Sequence, residues 1–89
     1  MTTPVSLSVI IPAFNEETRL PATLTTILSF LRSRGEPFEI LVVDDGSRDR
    51  TAEVARAAGA AVRVLRNPGS RGKGYSVRQG MLNARGQWR

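Results

Sequence analysis

The stretch Phe38-Glu-Ile-Leu-Val-Val-Asp-Asp-Gly-Ser47 decides the fold of this chain. It contains four consecutive aliphatic residues, Ile40 to Val43, between residues that favour turns. A short aliphatic run with β-branched members predicts a strand buried on both faces, as in a parallel sheet. The run stops at two carboxylates, Asp44 and Asp45, and ligands of open α/β sheets bind just beyond the carboxyl ends of the strands. We therefore predict that Asp44 and Asp45 lie beside a ligand.

The two adjacent carboxylates repel each other, which restricts the positions that they can occupy. Such a pair needs either an exposed position or partners that donate hydrogen bonds or positive charge. A simpler interpretation of either aspartate, taken alone, is that it caps the turn or the helix that follows. Both interpretations stay open on the sequence alone.

The composition limits the domain organisation and the chemistry available to the chain. The 89 residues are enough for one small domain and too few for two. Neither cysteine nor histidine is present, which excludes disulfides, thiolate metal sites and a histidine base. No apolar run has transmembrane length, and the N-terminus does not resemble a signal peptide. We therefore expect a cytoplasmic protein.

The net charge of +5 is distributed unevenly along the chain. Residues 1–45 hold three bases and six acids, a net charge of −3, whereas residues 46–89 hold ten bases and two acids, a net charge of +8. A basic half fits nucleic acid, an anionic membrane or a phosphate-bearing ligand. However, 12 of the 13 bases are arginine, which the codon bias of a GC-rich genome also produces. The few aromatic residues are not interleaved with the bases, so we predict no nucleic-acid partner.

Strand and helix patterns alternate along the chain. The predicted strands are Val5 to Ile11, which we expect Pro12 to end, then the stretch quoted above, and Ala61 to Arg66. The predicted helices are Leu20 to Ser33, residues 48–59 ending at a glycine, and Tyr75 to Arg85 after a glycine-rich loop, Asn67 to Gly74.

This β-α-β-α-β-α order predicts a parallel sheet with right-handed crossovers. Residues 87–89 have the pattern of a further strand. The alternation is therefore unfinished, and we expect the chain to be a fragment of a longer domain.

The loops after the three predicted strands all open on the same edge of such a sheet. They carry two chemically useful side chains each: Asn15 and Glu16, then Asp44 and Asp45, then Arg71 and Lys73. A carboxylate accepts a hydrogen bond from a base imide or a ribose hydroxyl, while cations and backbone amides neutralise phosphate. The joint placement predicts a site for a nucleoside diphosphate.

Two familiar phosphate-binding motifs do not fit this chain. A Walker loop fails because Asn67 and Gly74 occupy positions that require glycine and serine or threonine. The dinucleotide fingerprint G-x-G-x-x-G is absent after the first strand, where the chain reads Pro12-Ala-Phe-Asn-Glu16. Rossmann-type dinucleotide-binding proteins nevertheless also have an acidic residue at the end of strand two, so dinucleotide binding of this type stays an alternative.

Three segments together resemble a known family. They are Ser8-Val-Ile-Ile-Pro-Ala-Phe-Asn-Glu16, Ile40-Leu-Val-Val-Asp-Asp-Gly-Ser-Arg-Asp-Arg-Thr51 and Arg71-Gly-Lys-Gly-Tyr-Ser-Val-Arg-Gln-Gly-Met81. In this order and spacing they resemble the opening of an inverting GT-A glycosyltransferase of family 2. The third segment is similar to the polyprenyl-phosphate branch, and within it to the dolichyl-phosphate β-glucosyltransferases.

The resemblance implies a fold and a set of binding residues. The fold would be a three-layer α/β/α arrangement with a mostly parallel sheet, of which residues 1–89 form the N-terminal, nucleotide-binding half. The implied roles are a nucleoside contact for Pro12 and Ala13, donor-pocket positions for Asn15 and Glu16, base recognition for Asp45 with Asp44 beside it, and a diphosphate contact for Lys73.

The resemblance also implies an activity. The parent enzyme would move a hexose from a nucleotide sugar, UDP-glucose, to a polyprenyl phosphate with inversion, peripherally at the cytoplasmic face of a membrane. A divalent cation, Mg²⁺ or Mn²⁺, would be held by a D-x-D motif that the family places after Arg89, and no catalytic residue is expected before it. We therefore expect the 89 residues alone to be inactive and to self-associate through an unpaired edge of the first strand. A non-catalytic nucleotide-binding or partner-binding module stays the alternative.

Overall fold

The computed structural model describes residues 5–69 and 71–86, and the predicted strand at residues 87–89 lies outside them. Strands and helices alternate in the described part. They are β1 (Leu7–Ala13), α1 (Leu20–Arg34), β2 (Phe38–Asp44), α2 (Thr51–Ala57), β3 (Val62–Arg66) and α3 (Lys73–Asn83).

The three strands form one parallel sheet in the order β1-β2-β3. Leu7 lies opposite Phe38 in the first pair, and Ile40 lies opposite Val62 in the second. The predicted parallel sheet is therefore confirmed. In the described residues β1 has no strand on its other side, so self-association through this edge stays a prediction.

The central position of β2 explains its continuous apolar run. Ile40, Leu41, Val42 and Val43 are all fully buried, at 0% exposure. Helices α1 and α2 pack on one face of the sheet, where a leucine stripe joins Ile40 and Val42 in the core. Helix α3 packs on the opposite face, against Ile10 and Val43. The three-layer α/β/α architecture is confirmed.

Helix α1 follows the predicted apolar stripe closely. Leu20, Leu24, Leu28 and Leu31 are its buried residues, at the spacing of one helix face. The helix ends one residue later than predicted, before Gly35, which has φ 76° and donates its backbone N–H to the Arg32 carbonyl. A glycine is suited to this left-handed terminating position because it has no Cβ.

Strand β1 does not end before Pro12, so that part of the prediction was wrong. The strand continues to Ala13, and Pro12 lies opposite Val43 in the pairing register. The Ala13 carbonyl accepts a hydrogen bond from the Asp45 N–H at 2.8 Å, so Ala13 points its polar groups towards β2. Successive residues of a strand point in opposite directions, and the nitrogen of Pro12 therefore faces the open edge, where no ladder bond is lost.

Helix α3 begins and ends two residues earlier than predicted, at Lys73 and Asn83. Its Gly80 permits close approach to the sheet, because a Cβ there would lie 2.3 Å from Ile10 Cγ2. After the helix, the Arg85 N–H donates to the Glu39 carboxylate at 2.6 Å, and the Gly86 N–H donates to Ser8 Oγ at 2.8 Å. These acceptors lie on the sheet, so the chain has to leave the helix to reach them.

None of the three described helices combines the length and hydropathy of a membrane span.

Glu39 is the centre of a buried polar cluster beneath the end of α3. It accepts a hydrogen bond from Ser8 Oγ at 2.6 Å, and Arg63 Nε lies 3.0 Å from its Oε1. Burial raises the pKa of Glu39, but the Ser8 hydroxyl, the Arg85 amide and the Arg63 guanidinium together outweigh it and lower the pKa below its usual value.

A carboxyl group whose pKa is lowered by folding stabilises the folded state above its ordinary pKa, which is about 4.3 for glutamate. This contribution is lost as the pH falls through the lowered value. We expect Glu39→Gln to reduce the free energy of unfolding by about 2 kcal/mol at pH 7 and by progressively less as the pH falls through the lowered pKa. Urea denaturation as a function of pH measures the difference, with Glu53→Gln on the exposed surface of α2 as the control. An effect of Glu39→Gln that does not change with pH would contradict this assignment.

Candidate functional site

A cavity of about 280 Å³ lies at the rim where the three strands end. This volume is just below the usual range for ligand pockets, about 300–1,000 Å³. Its lining includes five residues that the sequence analysis singled out, together with two that it did not. These are Pro12, Ala13, Glu16, Asp45 and Lys73, and then Phe14 and Ser76.

Asp45 is buried and organises the loop after β3. Its Oδ1 accepts hydrogen bonds from the Arg71 N–H at 2.8 Å and from Asn67 Nδ2 at 3.0 Å, and its Oδ2 accepts the Gly72 N–H at 2.9 Å. The repulsion between the two aspartates is therefore resolved for Asp45 by donors from the glycine-rich loop. We expected amides of this loop to be available to phosphate, but those of Arg71 and Gly72 are directed to Asp45.

Asn67 extends this network to α3. Its side-chain amide lies 3.0 Å from both Asp45 Oδ1 and Ser76 Oγ. Asn67 and Ser76 are both buried, and Ser76 also lines the cavity. Neither residue could be identified from the sequence, because Asn67 and Ser76 are nine residues apart and meet each other and Asp45 only through the fold.

Asp44 does not line the cavity, although it is adjacent to Asp45 in the chain. It is 1% exposed, accepts the Ser47 N–H at 2.9 Å and forms an ion pair with Arg66 Nε at 3.4 Å. Arg66 Nη2 also donates to the Ser47 carbonyl at 2.9 Å. The simpler interpretation, a turn-capping aspartate, therefore describes Asp44 in this structure.

Asn15 also lies outside the cavity lining and connects two loops. Its N–H donates to Ser47 Oγ at 2.8 Å, and its Oδ1 accepts the Arg48 N–H at 3.0 Å. Its φ of 52° is left-handed, a conformation that asparagine adopts more readily than most residues. Asn15 thus shapes the loop between β1 and α1 and is not placed as a contact residue.

The side chains of Ser47, Asp49 and Thr51, which we call the loop clamp, hold this same loop from the other side. Ser47 Oγ accepts the N–H of Asn15 at 2.8 Å, Thr51 Oγ1 that of Glu16 at 2.9 Å, and Asp49 Oδ2 that of Glu17 at 3.3 Å. Three consecutive backbone amides are therefore satisfied by three side chains that follow β2.

The members of the loop clamp also contact one another. The Thr51 hydroxyl donates to Asp49 Oδ1, which also accepts the Thr51 N–H at 3.0 Å. The hydrogen bond from the Thr51 hydroxyl is the main cause that lowers the pKa of Asp49, and the Thr51 and Glu17 amides add to it. The sequence carries a signal for this cluster, since a serine, an aspartate and a threonine follow Asp45 at every second position, but the signal does not show which amides they hold.

Lys73 is the first residue of α3 and lines the cavity. Beside it, the guanidinium of Arg71 lies 5.9 Å from the centre of the Tyr75 ring, within the range of a cation–π contact. The basic side chains at the start of α3 therefore take different positions, with Arg71 of the preceding loop beside an aromatic ring and Lys73 at the cavity.

The described residues do not fit a divalent cation. In residues 5–69 and 71–86 no three acidic side chains converge as metal ligands would. Asp44 and Asp45 are directed to different partners, so they do not form a pair of ligands. A cation, if one is used, would need ligands from elsewhere.

The profile of the family described as Glycosyl transferase family 2 matches residues 8–88. The chain belongs to glycosyl transferase family 2. The match includes every residue of the three strands except Leu7 and all the residues that line the cavity, so the site described above lies within the shared region.

Two curated relatives and one solved structure show how far the similarity extends. The dolichyl-phosphate beta-glucosyltransferase of Drosophila melanogaster is 48% identical over 93% of this chain and 28% of that protein. The protein of the same name from Homo sapiens is 41% identical over 91% of this chain and 28% of that protein. Glucosyl-3-phosphoglycerate synthase from Mycobacterium tuberculosis, solved with Mn²⁺, UDP and glucosyl-3-phosphoglycerate, has a TM-score of 0.73 and 29% identity over 92% of this chain and 30% of that one.

These comparisons confirm the predicted family and the GT-A fold. They also show that the chain spans about 28% of the length of these curated relatives. The activity, substrates and partners of the whole protein are therefore proposals.

Proposed function

We propose that this chain is the nucleotide-sugar-binding portion of a family 2 glycosyltransferase. The observation that carries the proposal is the rim cavity, which is lined by residues at the end of β1 and in the loop after it, by Asp45 after β2, and by Lys73 and Ser76 of α3. The residue types at this position suit a nucleoside diphosphate, because a carboxylate accepts hydrogen bonds from a base or ribose and a lysine attracts phosphate.

The proposed reaction is transfer of a hexose from UDP-glucose to a polyprenyl phosphate, with inversion, at a membrane surface on its cytoplasmic side. Support comes from the names of the relatives from Drosophila melanogaster and Homo sapiens, which are dolichyl-phosphate beta-glucosyltransferases. The structural neighbour solved with UDP supports a uridine donor.

The binding roles are divided between the residues that line the cavity and those that support it. Pro12 and Ala13 form the wall proposed for the nucleoside, Asp45 accepts a hydrogen bond from the base, and Lys73 faces the diphosphate. Asp44 and Asn15, which we expected in the same group, hold the surrounding loops. The ligands of a divalent cation and the catalytic base are proposed to be supplied by residues outside these 89, and the neighbour solved with Mn²⁺ supports the use of a divalent cation.

Lys73 provides the test of this proposal that separates phosphate from nucleoside recognition. In the protein expressed from its natural open reading frame, Lys73→Ala is expected to weaken UDP binding roughly 10- to 100-fold, because a charged hydrogen bond contributes about 1.5–3 kcal/mol. Binding of uridine, which has no phosphate, should change little. Isothermal titration calorimetry with both ligands measures the two effects.

Arg78→Ala is a matched control, because Arg78 is an exposed cation of the same helix that does not line the cavity. It should leave both affinities unchanged. Equal losses for UDP and uridine in Lys73→Ala would show that the residue supports the loop only. If the wild-type protein bound neither ligand, the proposed function itself would be wrong, and a partner-binding module would be favoured.

A further inference from the structure

The loop clamp of Ser47, Asp49 and Thr51 has no role in the function proposed so far. We propose that it is a positioning device for the nucleotide-sugar site, in which the Thr51 hydroxyl places Glu16 at the cavity. This inference rests on the proposed function, since it concerns the same cavity. None of the three side chains lines that cavity, so their effect on a ligand would be transmitted through the loop that follows β1.

The positions of the hydrogen bonds support this role. Glu16 has its N–H held by Thr51 Oγ1 at 2.9 Å, and its carbonyl accepts the Leu20 N–H at 2.8 Å. Both polar groups of its backbone are therefore fixed, one by the clamp and one by the start of α1. With its backbone fixed, the Glu16 side chain lines the cavity from a defined position.

Two of the three clamp residues are buried, since Thr51 is 0% exposed and Ser47 is 2% exposed, whereas Asp49 is half-buried. Water therefore does not easily replace the Thr51 and Ser47 hydroxyls, and an amide that loses one of these acceptors has to move with its loop to find another partner. Because the three amides are consecutive, loss of one acceptor would shift the backbone on which Glu16 lies. Small displacements of groups that contact a ligand have large effects on binding.

The Thr51 hydroxyl has two partners, since it accepts from the Glu16 N–H and donates to Asp49. Substitution by valine keeps the branched shape and removes both hydrogen bonds. Substitution by serine keeps the hydroxyl and removes only a methyl group. The two variants therefore separate the hydroxyl from the packing of the side chain.

The experiment compares UDP binding by calorimetry with thermal unfolding, using the protein expressed from its natural open reading frame. Thr51→Val is expected to weaken UDP binding about 10-fold, whereas Thr51→Ser should bind within about threefold of wild type. Ser47→Ala, which removes the acceptor for Asn15, should weaken UDP binding in the same direction. This second variant keeps the test available if Thr51→Val does not fold. Thr26→Val is the matched control, because the exposed Thr26 hydroxyl donates to the Ala22 carbonyl of its own helix and does not line the cavity.

The possible outcomes separate this inference from the proposed function. Weaker UDP binding in folded Thr51→Val, with recovery in Thr51→Ser, would support positioning by the hydroxyl. A lower unfolding temperature with unchanged UDP affinity would show that the clamp is structural only and would overturn the inference alone. If wild-type protein did not bind UDP, both the inference and the proposed function would be overturned.

Discussion

Replacing Asp45 by asparagine is expected to weaken UDP binding by about 1–3 kcal/mol and to remove the preference for UDP over CDP. The imide N–H of uracil can donate to a carboxylate, whereas cytosine has no donor at that position. The substitution also replaces one acceptor oxygen by a donor amide. Because Asp45 accepts the N–H groups of both Arg71 and Gly72, the neighbouring loop would lose part of its support as well.

Calorimetric titration of wild type and Asp45→Asn with UDP and with CDP measures both effects. Glu53→Gln makes the same chemical change at an exposed position on α2 and should have no effect. If Asp45 acted only by holding the loop, the wild-type protein would bind UDP and CDP with equal affinity. Asp45→Asn would then weaken the binding of both nucleotides equally. Equal affinity of the wild-type protein for the two nucleotides would therefore contradict base recognition by Asp45.

Gly46→Ala is expected to have the second large effect, through the contact between two rim loops. Gly46 has φ 78°, and a Cβ there would lie 2.7 Å from the backbone carbon of Gly69. An alanine in a left-handed backbone conformation lowers the free energy of unfolding by about 1 kcal/mol. Separating the two loop backbones to make room for its Cβ lowers it further, by about 1–3 kcal/mol. We expect Gly46→Ala to reduce the free energy of unfolding by about 2–4 kcal/mol and to weaken UDP binding, since Gly69 belongs to the loop that Asp45 holds.

Gly35→Ala provides a matched control for the backbone conformation. Gly35 has φ 76°, nearly the same as Gly46, but a Cβ there would have no atom within 4 Å. Urea denaturation should therefore show a loss of only about 1 kcal/mol for Gly35→Ala. Equal losses in the two variants would show that the contact between Gly46 and Gly69 contributes nothing.

The order of the elements could be predicted because each carries a local signal. The aliphatic run of β2 and the leucine stripe of α1 are periodic patterns that do not depend on distant residues. The ends of the elements were less predictable, because long-range contacts decide them. Pro12 continues β1 because its nitrogen faces the open edge, and α3 ends early because Glu39 and Ser8 accept the amides that follow it.

In the candidate site, too, the features with a local sequence signal were predictable and those set by long-range contacts were not. The sequence predicted that the cavity lies where the strands end, and residues after β1 and β2 do line it, but on the third side the lining residues are Lys73 and Ser76 of α3 and not the loop before that helix. It could not distinguish Asp44 from Asp45, because their partners, Arg66 and the glycine-rich loop, lie more than 20 residues further along the chain. It also missed the loop clamp, whose hydrogen bonds join residues 32 to 35 positions apart.

The central claim is that a uridine nucleotide sugar binds at the rim formed by these three loops. The most direct test is photo-crosslinking of the protein, expressed from its natural open reading frame, with 5-azido-UDP-glucose, followed by tryptic mapping. The account predicts that label enters peptides 1–19 and 35–48, which contain Pro12, Ala13 and Asp45, and that excess UDP prevents it. Label confined to other peptides, or label in these peptides that excess UDP does not reduce, would contradict the account.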